Sequence, residues 1–299
     1  MFKGSIVAIV TPFSATNRGG NTSIDENTLR KLIDFQIANG TSGIVPCGTT
    51  GESATLNFEE HEAVIRITIE QVNKRVPVIA GTGSNSTQEA IALTQQAASA
   101  GADASLQVSP YYNRPTQKGL YEHFKAIAQS VKIPIILYNI AGRTGVNIEP
   151  ETIARLARDC KNIVAVKEAS GSLDQMSRIK QLCPQEFNLI SGDDSLTLPI
   201  MSIGGIGIIS VVANIVPRDV AELVSAFAKG DLKKAETLHY KLLPLIKAVF
   251  LETNPIPVKT AMGLLGMCQP DLRLPMCSMS DDNLAKLKTA LKDYGLLKL

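Results

Sequence analysis

Short runs of β-branched and aliphatic residues alternate along this chain with stretches in which apolar positions recur every three to four residues. The short runs fall at 6–10, 43–46, 76–80, 104–108, 133–138, 163–167, 187–191 and 205–210. Near-continuous apolar runs of this length read as strands of a parallel sheet buried on both faces. Between them, helical periodicity predicts helices near 25–39, 58–74, 86–100, 118–130, 150–158, 172–182 and 195–203. Eight strands, each followed by a helical stretch, match an α/β fold of the (β/α)8 TIM-barrel type, not a doubly wound sheet of five or six strands. Ser86-Thr87-Gln88-Glu89 reads as a capping box opening one helix, and Gly101 ends it. Asn57-Phe58-Glu59-Glu60 is a similar start signal for the preceding helix.

After the eighth strand, Pro217-Arg218-Asp219 opens a further set of helices, broken near Asn254-Pro255-Ile256-Pro257 and Leu274-Pro275. The expected organisation is therefore a barrel over 1–216 and a helical region over 217–299 packed on it. No linker of biased composition separates the two.

Composition narrows the field without choosing within it. With 30 basic and 28 acidic residues the chain gives no electrostatic case for nucleic acid or an anionic membrane. No apolar run is long enough to cross a bilayer, and the stretch 6–10 is too short for a secretory leader. The five cysteines include no Cys-x-x-Cys pair, and the three histidines show no metal-ligand spacing. A cytoplasmic location, no metal and no cofactor are the expectations.

In a barrel, chemistry gathers at the C-terminal ends of the strands, and the unusual residues of this chain fall there in succession. Cys47-Gly48-Thr49-Thr50-Gly51-Glu52 follows the second strand, and its glycines and hydroxyls suit a carboxylate. Pro110-Tyr111-Tyr112-Asn113-Arg114-Pro115 follows the fourth. Tyr138-Asn139 ends the fifth and leads into Gly142-Arg143-Thr144-Gly145. Lys167 ends the sixth, after four apolar residues in a row. Desolvation there favours the neutral amine, which can attack a ketone to form a Schiff base. A lysine at a strand end also snorkels into water readily, Tyr138 could be a strand-end aromatic, and Arg143 a surface cation. Ser191-Gly192-Asp193-Asp194 ends the seventh strand and Gly207-Ile208-Ile209-Ser210 the eighth.

Taken together, these motifs and the stretches Gly4 to Pro12, Gly48 to Leu56, Val166-Lys167-Glu168-Ala169 and Asn254 to Lys259 closely resemble the dihydrodipicolinate synthase family. That family belongs to the pyruvate-dependent class I aldolases, which also include N-acetylneuraminate lyase. The resemblance spans nearly the whole chain. It implies condensation of pyruvate with L-aspartate 4-semialdehyde on the diaminopimelate route to L-lysine, with no external cofactor. By matching motif, Lys167 would form the Schiff base, and Tyr138 would shuttle protons through Thr49 to Tyr112 of a neighbouring subunit. Thr50 would hold the pyruvate carboxylate, Arg143 the carboxylate of the aldehyde, and Gly192 and Ile209 would line the pocket. The resemblance also implies a homotetramer built as a dimer of dimers. An L-lysine effector site would comprise Ser53, Ala54, His61, Asn85, Glu89 and Tyr111.

Two positions depart from the family pattern. Ala141 stands where proline is usual, and Phe58 stands where some lysine-sensitive members have histidine. Glu89 has a second reading as the third helical residue of its capping box. Two alternatives stay open at this point. One is a related aldolase such as N-acetylneuraminate lyase, although that branch usually reads Gly-Ser-Thr-Gly-Glu where this chain has Gly48-Thr49-Thr50-Gly51-Glu52. The other is a non-catalytic barrel that binds a ligand.

Overall fold

The computed structural model describes residues 2–15 and 22–297. Eight parallel strands form the barrel: β1 (Gly4–Ala8), β4 (Gly43–Val45), β5 (Ile79–Gly81), β6 (Ala104–Val108), β7 (Ile135–Asn139), β8 (Ile163–Glu168), β9 (Asn188–Ser191) and β10 (Gly207–Ser210). A short antiparallel hairpin, β2 (Phe13–Ala15) with β3 (Thr22–Ile24), lies between β1 and β4 in the sequence. The hydrogen-bonded order runs β4-β1-β10-β9-β8-β7-β6-β5. A parallel bridge between Ile44 and Val78 then joins β4 to β5 and closes the ring.

Helices α1 (Glu26–Ala38), α2 (Phe58–Val72), α3 (Thr87–Ala100) and α4 (Gln117–Ser130) follow the first four barrel strands. The short α5 (Ala141–Thr144) and then α6 (Pro150–Asp159), α7 (Leu173–Leu182), α8 (Thr197–Ser202) and α9 (Pro217–Ala228) follow the other four. Beyond them lie α10 (Leu232–Ala248), α11 (Ile256–Leu264) and α12 (Asp281–Asp293). The boundary expected after 216 falls just before α9, which packs against β1 and is the eighth helix of the barrel. The extension proper thus begins at α10. One apolar cluster runs from Val7 and Ile44 through Val220 and Leu245 to Leu287, so α10 to α12 share a core with the barrel.

Both faces of the strands are buried, which explains their unbroken apolar runs. Alternate residues feed two clusters. Ile136, Tyr138 and Ala165 belong to the lumen, with Ile6, Ile190 and Ile209. Leu137 and Val166 face the surrounding helices. Lys167, two residues beyond Ala165, shares its side of the strand, because side chains two apart in a strand lie on one face.

The first strand begins two residues earlier than its hydropathy suggests. Ile9 and Val10 are as buried as Ile6 but lie past the ladder, where the Val10 N–H donates to Asn214 Oδ1 at 3.2 Å. Hydropathy reports burial, not pairing. The eighth strand begins at Gly207, where a Cβ would stand 2.0 Å from the Gly4 carbonyl oxygen. Only glycine lets β10 approach β1 that closely. The helix starts follow the sequence signals with one correction. Asn57 and Glu60 form a complete reciprocal box, and Ser86 caps α3 through the Glu89 N–H. The Glu89 carboxylate, however, accepts instead from the Ser84 hydroxyl at 2.8 Å.

Candidate active site

Register places the two most reactive side chains side by side. Tyr138 in β7 pairs with Lys167 in β8, and the Lys167 Nζ lies 4.0 Å from the centroid of the tyrosine ring. Both residues are 5 % exposed. Burial drives the Lys167 pKa down to about 7; Asp194 opposes that drop and Arg143 adds to it. Burial pushes the Tyr138 phenol up to about 12, against the pull of Arg143 and of the Thr49 hydroxyl facing it. A lysine near neutrality has a large fraction of free amine at physiological pH, as nucleophilic attack requires.

Behind this pair, on the helix side of the same strands, Asn139 pairs with Glu168. The fully buried Glu168 carboxylate accepts from Asn139 Nδ2 at 3.0 Å, Gln175 Nε2 at 3.2 Å and the Ser170 N–H at 2.7 Å. That network ties β7 to β8 at the level of the tyrosine and lysine. Gly192 closes the other flank. A Cβ there would come within 3.1 Å of Lys167 Cε and Cγ and 2.8 Å of Ala169 Cβ. Ile209 packs in the lumen cluster together with Tyr138.

A cavity of about 590 Å³ opens above the pair, and its walls include Thr49, Tyr138, Arg143 and Asn254. Lys167 stands beside the Tyr138 wall, its amine against the ring. Thr50 is buried, and its hydroxyl accepts from Asn254 Nδ2 at 3.0 Å. The main-chain oxygen of Asn254 accepts from Arg143 Nη2 at 3.3 Å. Asn254 therefore links the threonine turn to the arginine, a role no sequence pattern pointed to.

The same cavity continues to Ser53, Ala54, Phe58, His61, Glu89 and Tyr111. His61 is buried and donates to the Gly81 carbonyl at 2.9 Å; burial keeps its pKa below the usual histidine range. Asn85 is half-buried nearby, its carbonyl accepting from Asn113 Nδ2 at 2.8 Å. Tyr112 does not join this set within one chain, since it projects into solvent with 91 % of its surface exposed.

The loops that frame the cavity hold unusual backbone. Cys47 and Glu52 flank the threonines at φ 54° and 53°, and Tyr112 and Arg114 sit at φ 71° and 46°. Left-handed conformations of non-glycine residues cost about 1–3 kcal/mol each and persist where surrounding structure over-determines them. Asp194 adds a contact that the motifs do not single out. It is buried, accepts from the Ser210 hydroxyl and from the Val211 N–H at 2.9 Å, and is the carboxylate that acts on Lys167. Its signal was present in the Ser191-Gly192-Asp193-Asp194 motif, but nothing there separates Asp194 from Asp193. Among the described residues no group of three or more histidine, cysteine or acidic side chains could hold a metal ion.

A parallel barrel that buries a near-neutral lysine beside a tyrosine defines the class, a Schiff-base-forming lyase of the lysine-dependent aldolase type. The chain belongs to the dihydrodipicolinate synthetase family, whose model matches residues 1–294. It is 60% identical over 298 residues to the 4-hydroxy-tetrahydrodipicolinate synthase of Endomicrobium trichonymphae, with 100% of each chain covered. Its fold superposes on the crystal structure of dihydrodipicolinate synthase from Aquifex aeolicus with a TM-score of 0.95, at 52% identity and 99% coverage of both chains. A lysine-bound dihydrodipicolinate synthase from Cyanidioschyzon merolae is similar at a TM-score of 0.93 and 42% identity, with 99% of each chain covered.

Proposed function

We propose that this chain condenses pyruvate with L-aspartate 4-semialdehyde, the reaction its 60%-identical relative is named for. The observation that carries the reading is Lys167, buried beside Tyr138 with its pKa drawn to about 7. The neutral amine adds to the ketone carbon of pyruvate, and loss of water leaves a protonated imine. The imine draws electrons from the methyl carbon, which loses a proton to give the enamine. The enamine carbon attacks the aldehyde, whose oxygen takes up a proton. The amino group of the semialdehyde then displaces Lys167 and closes the ring, which frees the enzyme.

In this scheme Tyr138 moves the protons, relayed through Thr49. Thr50 holds the pyruvate carboxylate, Arg143 receives the carboxylate of the aldehyde at the mouth, and Gly192 and Ile209 shape the pocket. The exposed Tyr112 completes the relay from a second copy of the chain. Phe58, Tyr111 and Leu274 are also exposed, which favours a face between copies there. A homotetramer assembled as a dimer of dimers is the assembly we propose, in the cytoplasm. Among the described residues no helix is long and apolar enough to cross a membrane.

Borohydride trapping tests the reading. With pyruvate present, a mass adduct should appear on Lys167; its absence overturns every Schiff-base mechanism for this chain. If the adduct forms, turnover with aspartate semialdehyde and none with N-acetylneuraminate decides the substrate.

We further propose that L-lysine inhibits the enzyme from the second half of the cavity. Glu89 would face an ammonium there, with His61, Ser53, Ala54, Asn85 and Tyr111 around it. Phe58 weakens this site, because an apolar ring replaces a polar contact. An unchanged rate at millimolar L-lysine would overturn it.

A further inference from the structure

The turn that carries Thr49 and Thr50 is gripped from outside the barrel. Its last residue, Glu52, combines a left-handed backbone with a buried carboxylate. Lys259 of α11 donates to Glu52 Oε1 at 2.6 Å and to the Thr11 carbonyl at 2.9 Å. The main-chain N–H of Arg273 donates to Glu52 Oε2 at 3.1 Å. The Thr11 hydroxyl in turn donates to the Gly51 carbonyl at 2.7 Å. A Cβ at Gly51 would lie 3.2 Å from both Cys47 N and Ile9 O. Lys259 Nζ and the Arg273 guanidinium both stack on the Phe13 ring, at 4.2 and 4.4 Å from its centroid.

The ion pair is withdrawn from water, with side-chain exposures of 0% for Lys259 and 2% for Glu52. Neither residue has a part in the chemistry above. A buried pair of this kind is a weak stabiliser, because desolvation offsets most of the attraction, and apolar residues of similar volume often hold a fold as well. Its distinct effect is geometric. Charge-assisted hydrogen bonds are short and directional, and here they fix a turn whose backbone would otherwise relax from its left-handed conformation. Thr50, two residues from Glu52, is also tied to the extension through Asn254.

We propose that Lys259 and Glu52 are positioning residues for the reaction at Lys167. Their ion pair lets the C-terminal extension clamp the turn after β4, so that the Thr50 hydroxyl meets the pyruvate carboxylate and the Thr49 hydroxyl meets the Tyr138 phenol. The inference rests on the reading that pyruvate condenses with Lys167.

The test compares the full-length parent with Lys259→Met, Thr50→Val and the double variant. Each is followed by borohydride trapping against pyruvate concentration, by steady-state rates and by thermal denaturation. Lys259→Met should raise the half-saturating pyruvate about tenfold, the size expected for loss of one hydrogen bond to a charged group. It should lower kcat less, by about threefold, through the displaced Thr49 hydroxyl, while trapping at saturation still fills Lys167. Thr50→Val should raise half-saturation similarly, and in half-saturation the double variant should be no worse than either single one, since both act there on the Thr50 contact with the carboxylate. Unchanged half-saturation in folded Lys259→Met, or effects that add in the double variant, overturns the inference. If Lys259→Met does not fold, Glu52→Gln serves instead: it keeps an acceptor for Lys259 and should raise half-saturation about threefold. Unchanged half-saturation in that variant overturns the inference too. A parent that forms no adduct overturns the Schiff-base reading itself and this inference with it, whereas a normal parent adduct beside an unaffected variant removes the clamp alone.

Discussion

Lys167 at the end of β8 and Lys259 in α11 are both withdrawn from water, yet their surroundings treat them differently. Lys259 meets a carboxylate oxygen at 2.6 Å and a carbonyl at 2.9 Å. Burial lowers its pKa, but Glu52 works against that fall both as a neighbouring charge and as a hydrogen-bond partner. Lys167 faces an aromatic ring. The carboxylate acting on it, Asp194, is already engaged by the Ser210 hydroxyl and the N–H groups of Val211 and Val212. Burial alone therefore does not make a lysine nucleophilic. Lys259 meets its counter-charge directly, while at Lys167 the counter-charge is spent elsewhere and the amine lies near neutrality.

The most direct way to break this comparison is to trap both lysines at once. Peptide mapping after treatment with pyruvate and borohydride should place the adduct on Lys167 and none on Lys259. Lys167→Ala should then lose the adduct and lower turnover by about a thousandfold or more, since the covalent route closes. An adduct on Lys259 in that variant would mean that burial, not partnering, selects the nucleophile.

A smaller effect is expected from crowding Lys167 without altering its charge environment. Gly192→Ala places a methyl group 3.1 Å from Lys167 Cε and 2.8 Å from Ala169 Cβ. Displacement of a reacting group by a fraction of an ångström to an ångström costs up to about a hundredfold. Adduct formation should slow about tenfold to a hundredfold, measured by stopped mixing with pyruvate and borohydride. A rate equal to the parent's would show that the amine has room the geometry denies.

Much of this architecture was legible in the sequence, because eight apolar runs separated by helical periodicity admit few folds, and Lys167 ends its run abruptly. The hairpin of β2 and β3 escaped notice, being two three-residue strands with little periodicity. So did the assignment of α9 to the barrel, since a helix that closes a ring looks in sequence like any helix that follows it. The family motifs led to Thr49, Thr50, Tyr138 and Arg143, and three of these line one cavity. Asp194, Asn254 and the pair Glu52 and Lys259 were not found. Their parts depend on contacts across 16 to 207 residues of chain, which no local pattern encodes. The lone apolar-flanked lysine was visible; the reason Lys259 differs from it was not.

The finest test of the comparison is titration. The free amine is the attacking form, so with Lys167 at about 7 its adduct rate should be nearly flat at alkaline pH. It should fall about tenfold for each unit below the midpoint. Stability carries the same signature. The unfolded lysine keeps its proton up to the ordinary value of 10.5, while the folded one releases it near 7. Between those values the unfolded state binds more protons, so this residue makes the fold more stable as pH rises through that window. Two substitutions should move the kinetic midpoint in opposite directions. Asp194→Asn removes the charge that raises the Lys167 pKa, so the midpoint should shift to lower pH. Arg143→Gln removes a charge that lowers it, so the midpoint should rise, by less, because Arg143 is exposed on α5, where solvent screens it. Shifts of the same sign in both variants, or a midpoint that ignores both, would show that burial alone sets the lysine and that its neighbours tune nothing.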